Sequence, residues 1–199
     1  MSNEIRRTKF NVIILGDCQV GKSSMIANLL GKEFEDTGLS TTGIDFYSNK
    51  ATFDGKVYTF KIFDTAGQER YISISTQQIR LGDGFMIVYS VDMPKTFNQI
   101  RNWIDTVEDE VDITQKPILL VANKVDLERK VSHNEGYEFA STRNIKYIET
   151  SAKTGFNIKK AFNELYTEIY NLKKDDIKNT EENIKLKMLS KNKKKKKCC

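Results

Sequence analysis

The sequence predicts a three-layer α/β domain, in which helices cover both faces of a mostly parallel sheet. Three continuous apolar runs indicate strands buried on both faces: FNVIILG, GFMIVYSV and PILLVAN. Segments with a helical spacing of apolar residues lie between these runs, so strands and helices alternate along the chain. An Asp54-Gly55 turn between two extended stretches adds a hairpin, and with it one antiparallel strand.

The strands follow one another in a regular order. The first strand runs through residues 10–16, and a helix is expected to begin near Lys22. The hairpin pairs residues 44–53 with the alternating stretch 58–63. Three later strands occupy GFMIVYSV, PILLVAN and the short KYIET, which gives a six-stranded sheet with one antiparallel strand.

The later helices are visible as apolar stripes and a capping signal. One stripe, with Pro94 near its start, comprises Phe97, Ile100, Ile104, Val107 and Val111. A second stripe comprises Ile158, Ala161, Phe162, Leu165, Ile169 and Leu172. Ser132 and Glu135 form a capping box that opens a further helix. Trp103 is expected to pack at a helix edge, and His133 to lie at the surface.

Composition favours one soluble domain. The chain has 199 residues, of which 39% are hydrophobic and 30% are charged. No run approaches the ~20 apolar residues that cross a bilayer, and the chain start lacks the apolar stretch of a signal peptide. The cysteines at positions 18, 198 and 199 leave no internal disulfide framework, so a reducing, cytosolic setting is expected.

Charge divides the chain into three parts. Residues 173–197 contain 11 lysines and four acidic residues, whereas residues 1–172 contain 21 basic and 23 acidic residues. We therefore expect a flexible N-terminus at residues 1–7, a folded domain at 8–172 and a flexible polybasic tail at 173–199. A nucleic-acid binder would more often carry its positive charge on the domain itself, so nucleic acid is not the expected partner.

Residues 16–23, GDCQVGKS, match the phosphate-loop pattern G-x-x-x-x-G-K-S/T. They follow a buried strand and precede a helix, so backbone N–H groups and the helix dipole can face an anion. Lys22 is expected to reach the β- and γ-phosphates and Ser23 to ligate Mg²⁺. The other nucleotide-binding candidates are Asp17, Cys18, Gln19, Val20, Gly21 and Ser24. A coincidental glycine-rich turn is the alternative.

Two further motifs select the base. PILLVAN runs into Asn123-Lys124-Val125-Asp126, where Asp126 can accept two hydrogen bonds from a guanine edge that adenine does not present. Asn123 would tie the base to the loop, and the stem of Lys124 would lie over the base face. After KYIET come Ser151, Ala152 and Lys153, where the Ala152 N–H can meet the guanine O6. Each motif alone could be a solvated turn, but their order at successive strand ends favours a ligand site.

A fourth motif, Asp64-Thr65-Ala66-Gly67-Gln68, supplies the reaction chemistry. Asp64 can hold Mg²⁺ through water, Gly67 can bring its N–H to a γ-phosphate, and Gln68 can orient an attacking water. A turn that caps the next helix is the alternative.

Residues 8–172 resemble a small GTPase of the Ras superfamily, which implies the P-loop GTPase fold. The stretches TTGIDF, DTAGQERY, YSVDMPKTF and NWIDTVEDEV, with a terminal Cys-Cys, resemble the Rab branch in particular. The resemblance implies a slow, GAP-stimulated hydrolysis of GTP to GDP with Mg²⁺, in which Thr41 ligates the metal. It also implies a monomer whose switch regions, around Thr41 and at 66–82, bind an exchange factor, a GAP and effectors in vesicle trafficking.

The chain departs from the Rab pattern at Thr42, Phe63, Gln78-Ile79 and Gly38, which are partner-facing positions. Cys18 and Gln19 replace the small residues that most family members carry in the phosphate loop. A thiol and a longer amide there are expected to crowd the hydrolytic water and slow the reaction.

The end of the chain is open to three interpretations. Eight lysines and no acidic residue lie between Lys185 and Lys197, directly before Cys198 and Cys199. They could form a nuclear or nucleic-acid segment or a solvated tail, but neither uses the cysteines. In Rab proteins paired terminal cysteines carry geranylgeranyl groups, which together with a basic stretch bind membranes durably. This reading implies a GDI-type carrier and a location on the cytoplasmic face of an intracellular membrane, with a soluble cytosolic pool.

Two other functions remain possible from the sequence. A P-loop metabolic kinase would need a lid or acceptor pocket, for which this compact chain has no spare segment. A nucleotide-locked scaffold would have lost hydrolysis, against which the presence of Ser23, Thr41 and Gln68 argues.

Overall fold

The computed structural model describes residues 8–34, 44–65 and 72–195. The strands are β1 Lys9–Leu15, β2 Ile44–Phe53, β3 Lys56–Thr65, β4 Gly84–Ser90, β5 Ile118–Asn123 and β6 Lys146–Glu149. The helices are α1 Lys22–Leu29, α2 Ile72–Leu81, α3 Pro94–Asn98, α4 Ile100–Glu108, α5 His133–Ser141 and α6 Ile158–Lys195. All six predicted strands are therefore confirmed.

The strands form one sheet in the order β2-β3-β1-β4-β5-β6. Only the β2–β3 pair is antiparallel, and its register runs from Ile44 opposite Thr65 to Phe53 opposite Lys56. The predicted hairpin turn at Asp54 and Gly55 is confirmed, because both residues have positive φ, at 48° and 73°. The Tyr170 hydroxyl donates to the Asp54 carboxylate at 2.8 Å, which fastens the turn to α6.

Two hydrophobic cores cover the two faces of the sheet. Val12 and Ile14 of β1 point into the core under α1 and α6, while Ile13 and Leu15 point into the core under α2, α4 and α5. This alternation is the period of two that a strand requires, and burial on both faces explains why β4 and β5 are buried along their whole length. The expected three-layer α/β architecture is confirmed.

The first predicted stripe, from Phe97 to Val111, does not form a single helix. A turn at Gln99 divides it into α3 and α4, and α4 ends at Glu108 before the half-buried Val111. The capping box of α5 is confirmed, because Ser132 accepts from the Glu135 N–H and the Glu135 carboxylate accepts from the Ser132 N–H.

Helix α6 extends well beyond the expected end of the domain. We expected a flexible tail from residue 173, whereas the described backbone continues as helix to Lys195. Residues 173–195 contain no glycine or proline and include nine lysines, which are compatible with a helix. The division of function at residue 172 stays a prediction. Within the described ranges, no helix combines the length and the apolar character needed to cross a bilayer.

The core beneath α6 gives a direct stability prediction. Phe162 is fully buried there, so Phe162→Ala should lower the free energy of unfolding by about 3–5 kcal/mol. Phe156 is 52% exposed, and the same substitution there should cost below about 1 kcal/mol. Urea unfolding at one saturating GDP concentration measures both variants. Similar losses in the two would contradict this packing.

Candidate functional site

The predicted site residues lie at the carboxyl ends of β1, β3, β5 and β6. The phosphate-loop residues follow β1, which lies between β3 and β4. The sheet extends from β1 to β3 and β2 on one side, and to β4, β5 and β6 on the other. This reversal of strand order opens a crevice at the strand ends, where open α/β sheets bind ligands. The structure thus brings residues 16–24, 64, 123–126 and 151–153 to one edge of the sheet.

Glycine is required at both ends of the loop. Gly16 has φ +137°, and a Cβ there would lie 2.2 Å from the carbonyl oxygen of Val88 on β4. Gly21 has φ +97°, and its Cβ would lie 2.4 Å from Nδ2 of Asn123. The loop therefore packs against two neighbouring strands at a distance that only glycine allows. Gln19 also has a positive φ, of 64°, which is a strained position for a residue with a side chain.

Lys22 is held inside the loop. Its side chain is buried, and Nζ donates to the carbonyl oxygens of Gly16 at 2.7 Å and Asp17 at 2.8 Å. Burial lowers the pKa of Lys22 to about 8, although the charges of Asp64, Cys18 and Asp17 oppose that change. An anion bound in the loop would favour the charged form, so the ammonium group is positioned to act on phosphate.

Asp64 and Ser23 fit the predicted Mg²⁺ site. Asp64 is 1% exposed at the end of β3, and burial raises its pKa, while a hydrogen bond from Ser23 and the charge of Lys22 oppose the rise. Its Oδ1 atom is buried with no hydrogen-bond partner among the described residues. A buried carboxylate oxygen without a partner is costly, and a hydrated cation beside it would satisfy it. The donor set of carboxylate and hydroxyl is the one Mg²⁺ prefers.

Asn123 joins the phosphate loop to the base-binding loops. It is fully buried, and its Nδ2 donates to the Val20 carbonyl at 2.8 Å. Its Oδ1 accepts from the Thr150 hydroxyl at 3.1 Å and from the Ala152 N–H at 3.2 Å. One amide therefore fixes three loop segments that are far apart in the sequence. Asn123 is therefore a structural tie between the motifs, and its predicted contact with the base stays a prediction.

The Ala152 N–H is consequently engaged by Asn123, so its predicted contact with guanine O6 would require a shared hydrogen bond. The Ala152 carbonyl accepts from Nδ2 of Asn28 on α1 at 3.2 Å. Ser151 and Ala152 are both buried, whereas Lys153 is exposed. The loop backbone is thus held from both sides.

Asp126 is positioned by Ser151. The Ser151 hydroxyl donates to Oδ1 of Asp126, and Oγ of Ser151 accepts from the Thr154 N–H at 3.1 Å. Asp126 itself is exposed at the crevice, where its carboxylate can accept hydrogen bonds from a ligand. The backbone of Lys124 is left-handed, with φ of 64°, which is uncommon for a residue other than glycine.

Two contacts outside the sequence motifs support the site. The Arg129 guanidinium donates two hydrogen bonds to the Glu149 carboxylate, at 2.8 and 3.1 Å. This pair links the loop after Asp126 to the end of β6, two residues before Ser151. The Trp103 indole N–H donates to Oδ1 of Asp17 at 2.8 Å. Trp103 is therefore a polar link to the phosphate loop as well as a packed residue. In the sequence, Arg129 follows one base motif and Glu149 precedes the other, and these opposite charges are the signal that could have predicted the pair.

Several predicted residues lie outside the described ranges. They are Thr41, Gly67, Gln68, Cys198 and Cys199. Their roles stay predictions. His133 is expected at the surface; in the structure it stacks on Tyr137, with ring centroids 6.0 Å apart, and meets Tyr147 edge-on.

Known proteins resemble the chain over most of its length. Residues 11–171 match the model of the Ras family. The chain is 38% identical over 162 residues to Ras-related protein Rab-8A of Bos taurus, which covers 80% of this chain and 78% of that relative.

Plant and algal relatives give similar values. Ras-related protein YPTC6 of Chlamydomonas reinhardtii is 35% identical over 176 residues, which are 87% of this chain and 81% of that relative. Ras-related protein Rab11A of Lotus japonicus is 36% identical over 165 residues, or 82% and 73% of the two chains.

The tie through Asn123 predicts a large effect on nucleotide retention. Asn123→Ala removes three hydrogen bonds and leaves the buried carbonyl of Val20 without its donor. We expect a loss of about 3 kcal/mol in GDP affinity, or roughly a 100-fold faster release. The matched variant Asn28→Ala removes one bond and should change release by less than about tenfold. Fluorescent GDP displacement compares the two, and equal rates would reject the central role of Asn123.

Proposed function

Because the chain belongs to the Ras family and is a GTPase with Rab-like relatives, we propose that it is a membrane-anchored switch in vesicle trafficking. In its GTP form it would recruit effectors through residues 36–46 and 66–82. Hydrolysis would then loosen these segments and end the interaction. The effector-binding conformation would therefore persist until the bound GTP is hydrolysed.

The observation that carries this proposal is the convergence of four sequence motifs on one crevice. The loop of residues 16–23, the carboxylate of Asp64 and the two base motifs come from separate strands and meet at one sheet edge. A glycine-rich turn or a solvated strand end would not need Asn123 to join them. This arrangement favours a guanine nucleotide over the alternatives open from sequence.

The chain's own residues would divide the work of binding and hydrolysis. Lys22 and the loop N–H groups would hold the β- and γ-phosphates, and Asp126 would select guanine. Mg²⁺ would be held by Ser23, Thr41 and, through water, Asp64, and it would neutralise developing charge on the phosphates. Gln68 would orient the attacking water. Without a partner's arginine, turnover on the order of 10⁻⁴ to 10⁻² s⁻¹ is expected.

Support for membrane attachment comes from the charge and helicity of the chain's end. Residues 185–197 hold eight lysines, and the described helix leads from the domain to Lys195, three residues before Cys198. Basic residues near an anionic leaflet contribute about 1 kcal/mol each, and two lipid chains add ~0.8 kcal/mol per buried CH₂. Geranylgeranyl groups on Cys198 and Cys199 would make the attachment durable, and a GDI-type carrier would reverse it.

The rate of GTP hydrolysis distinguishes a hydrolysing switch from a scaffold that binds nucleotide without hydrolysing it. Single-turnover GTP hydrolysis should be slowed at least tenfold by Gln68→Leu, because the variant cannot orient water. Cys18→Ser with Gln19→Gly should accelerate it, since the change removes bulk near the γ-phosphate and relieves the left-handed backbone at Gln19. A native protein that does not hydrolyse GTP would establish the scaffold instead.

Base selection tests the role of Asp126. Asp126→Asn should reduce GDP affinity by about 100-fold or more and raise affinity for xanthosine diphosphate, because the amide donates where the carboxylate accepts. Titration of nucleotide-depleted protein with GDP, xanthosine diphosphate and ADP measures the preference. Retention of native GDP affinity in the variant would show that another group reads the base.

The terminal cysteines test the anchor. The double variant Cys198→Ser/Cys199→Ser should leave the membrane fraction of expressing cells almost completely, since lysines alone are screened by salt. GDP binding by the purified variant serves as the control for folding. An unchanged membrane fraction would falsify the lipid anchor.

A further inference from the structure

An acidic residue occupies the predicted phosphate loop, where its charge opposes the ligand. Asp17 follows Gly16 directly, and its backbone carbonyl accepts from Lys22 Nζ at 2.8 Å. Its carboxylate is close enough to Lys22 for its charge to raise the pKa of that lysine. A carboxylate in the phosphate loop would repel bound phosphates whenever it turned toward them.

The structure shows what restrains this carboxylate. The Trp103 indole N–H donates to Oδ1 of Asp17 at 2.8 Å, across 86 residues of sequence. The contact is partly buried, and it directs the carboxylate toward α4. A neutral indole donor stabilises the anion locally without placing a second cation in competition with Lys22.

Helix α4 gives Trp103 a fixed position. Ile100, Ile104 and Val107 of the helix are buried against the sheet, and Trp103 packs half-buried at the edge of the same core. The indole therefore reaches the loop from a helix that is held in place by the core. A restraint of this kind holds the charge of Asp17 in one place.

We propose that Trp103 is a positioning residue for nucleotide retention, which holds the Asp17 carboxylate against α4 and away from the bound phosphates. The inference rests on the proposed function, in that residues 16–23 hold the phosphates. Without the indole N–H, the carboxylate is free to turn toward the phosphates and accelerates nucleotide release. The effect depends on the charge of Asp17 and not only on the packing of the ring.

The test combines two substitutions in a double-mutant cycle. Trp103→Phe keeps an aromatic ring in the core and removes the donor, whereas Asp17→Asn keeps an acceptor for the indole and removes the charge. Release of N-methylanthraniloyl-GDP from the full chain in excess Mg²⁺ is measured for the native protein, both single variants and the double variant. We expect Trp103→Phe to accelerate release about tenfold in the native background and less than twofold in the Asp17→Asn background.

A second measurement reports the contact itself. Trp103 is the one tryptophan in the sequence, so its indole N–H gives a single resonance in a ¹H–¹⁵N spectrum. Asp17→Asn should shift this resonance strongly, and the dispersion of the other signals verifies that the variant is folded. An unshifted resonance would overturn the proposed contact.

The kinetic outcomes are equally decisive. Acceleration of the same size in both backgrounds would mean that the indole acts through packing alone, and no acceleration in either would remove Trp103 from nucleotide retention. Both results overturn the proposal while the proposed function stands, because the native protein still retains the GDP analogue. A native protein that does not retain it contradicts the proposed function, and this inference fails with it.

Discussion

The described site depends on the buried amide of Asn123. Its donor reaches the Val20 carbonyl, and its acceptor takes the Thr150 hydroxyl and the Ala152 N–H, so the loops after β1, β5 and β6 have one common attachment point. Loops carry most of the conformational freedom of a domain, and ordering them costs entropy. Because the protein core holds Asn123 at the end of β5, much of that cost is met during folding. A nucleotide that entered would find its phosphate and base contacts already spaced.

The electrostatics of the crevice follow from the same burial. Lys22 opens α1 and Asp64 lies near the end of β3, and both are shielded from water. Burial therefore lowers the pKa of Lys22 and raises the pKa of Asp64. Burial of the Asp64 Oδ1 atom, which has no hydrogen-bond partner among the described residues, and burial of the Lys22 ammonium group both carry an energetic cost. A cation beside Asp64 and an anion beside Lys22 would satisfy these two groups, and the proposed magnesium nucleotide would supply both.

The sequence predicted the sheet, the hairpin and the phosphate loop because each has a local signature: continuous apolar runs, an Asp-Gly turn, and glycines at a fixed spacing. It did not reveal the roles of Asn123, Trp103 or Arg129 as ties, since each acts on a residue that is distant in sequence and becomes a neighbour only through the order of the strands. Gln99 divides a stripe that looked continuous, and α6 continues where charge suggested a flexible tail. The turn at Gln99 is not marked by the apolar spacing, and the lysine-rich segment after residue 172 has no glycine or proline that would end a helix.

A crystal structure of the full chain with GDP and Mg²⁺ tests the central claim most directly, that residues 16–24, 123–126 and 151–153 form one prearranged guanine-nucleotide site. The account predicts phosphates within the loop of residues 16–23 with Lys22 on them, the guanine edge on Asp126, and all three hydrogen bonds of Asn123 retained. A nucleotide bound elsewhere, or an Asn123 side chain that leaves Val20 and Ala152 when GDP binds, would contradict it.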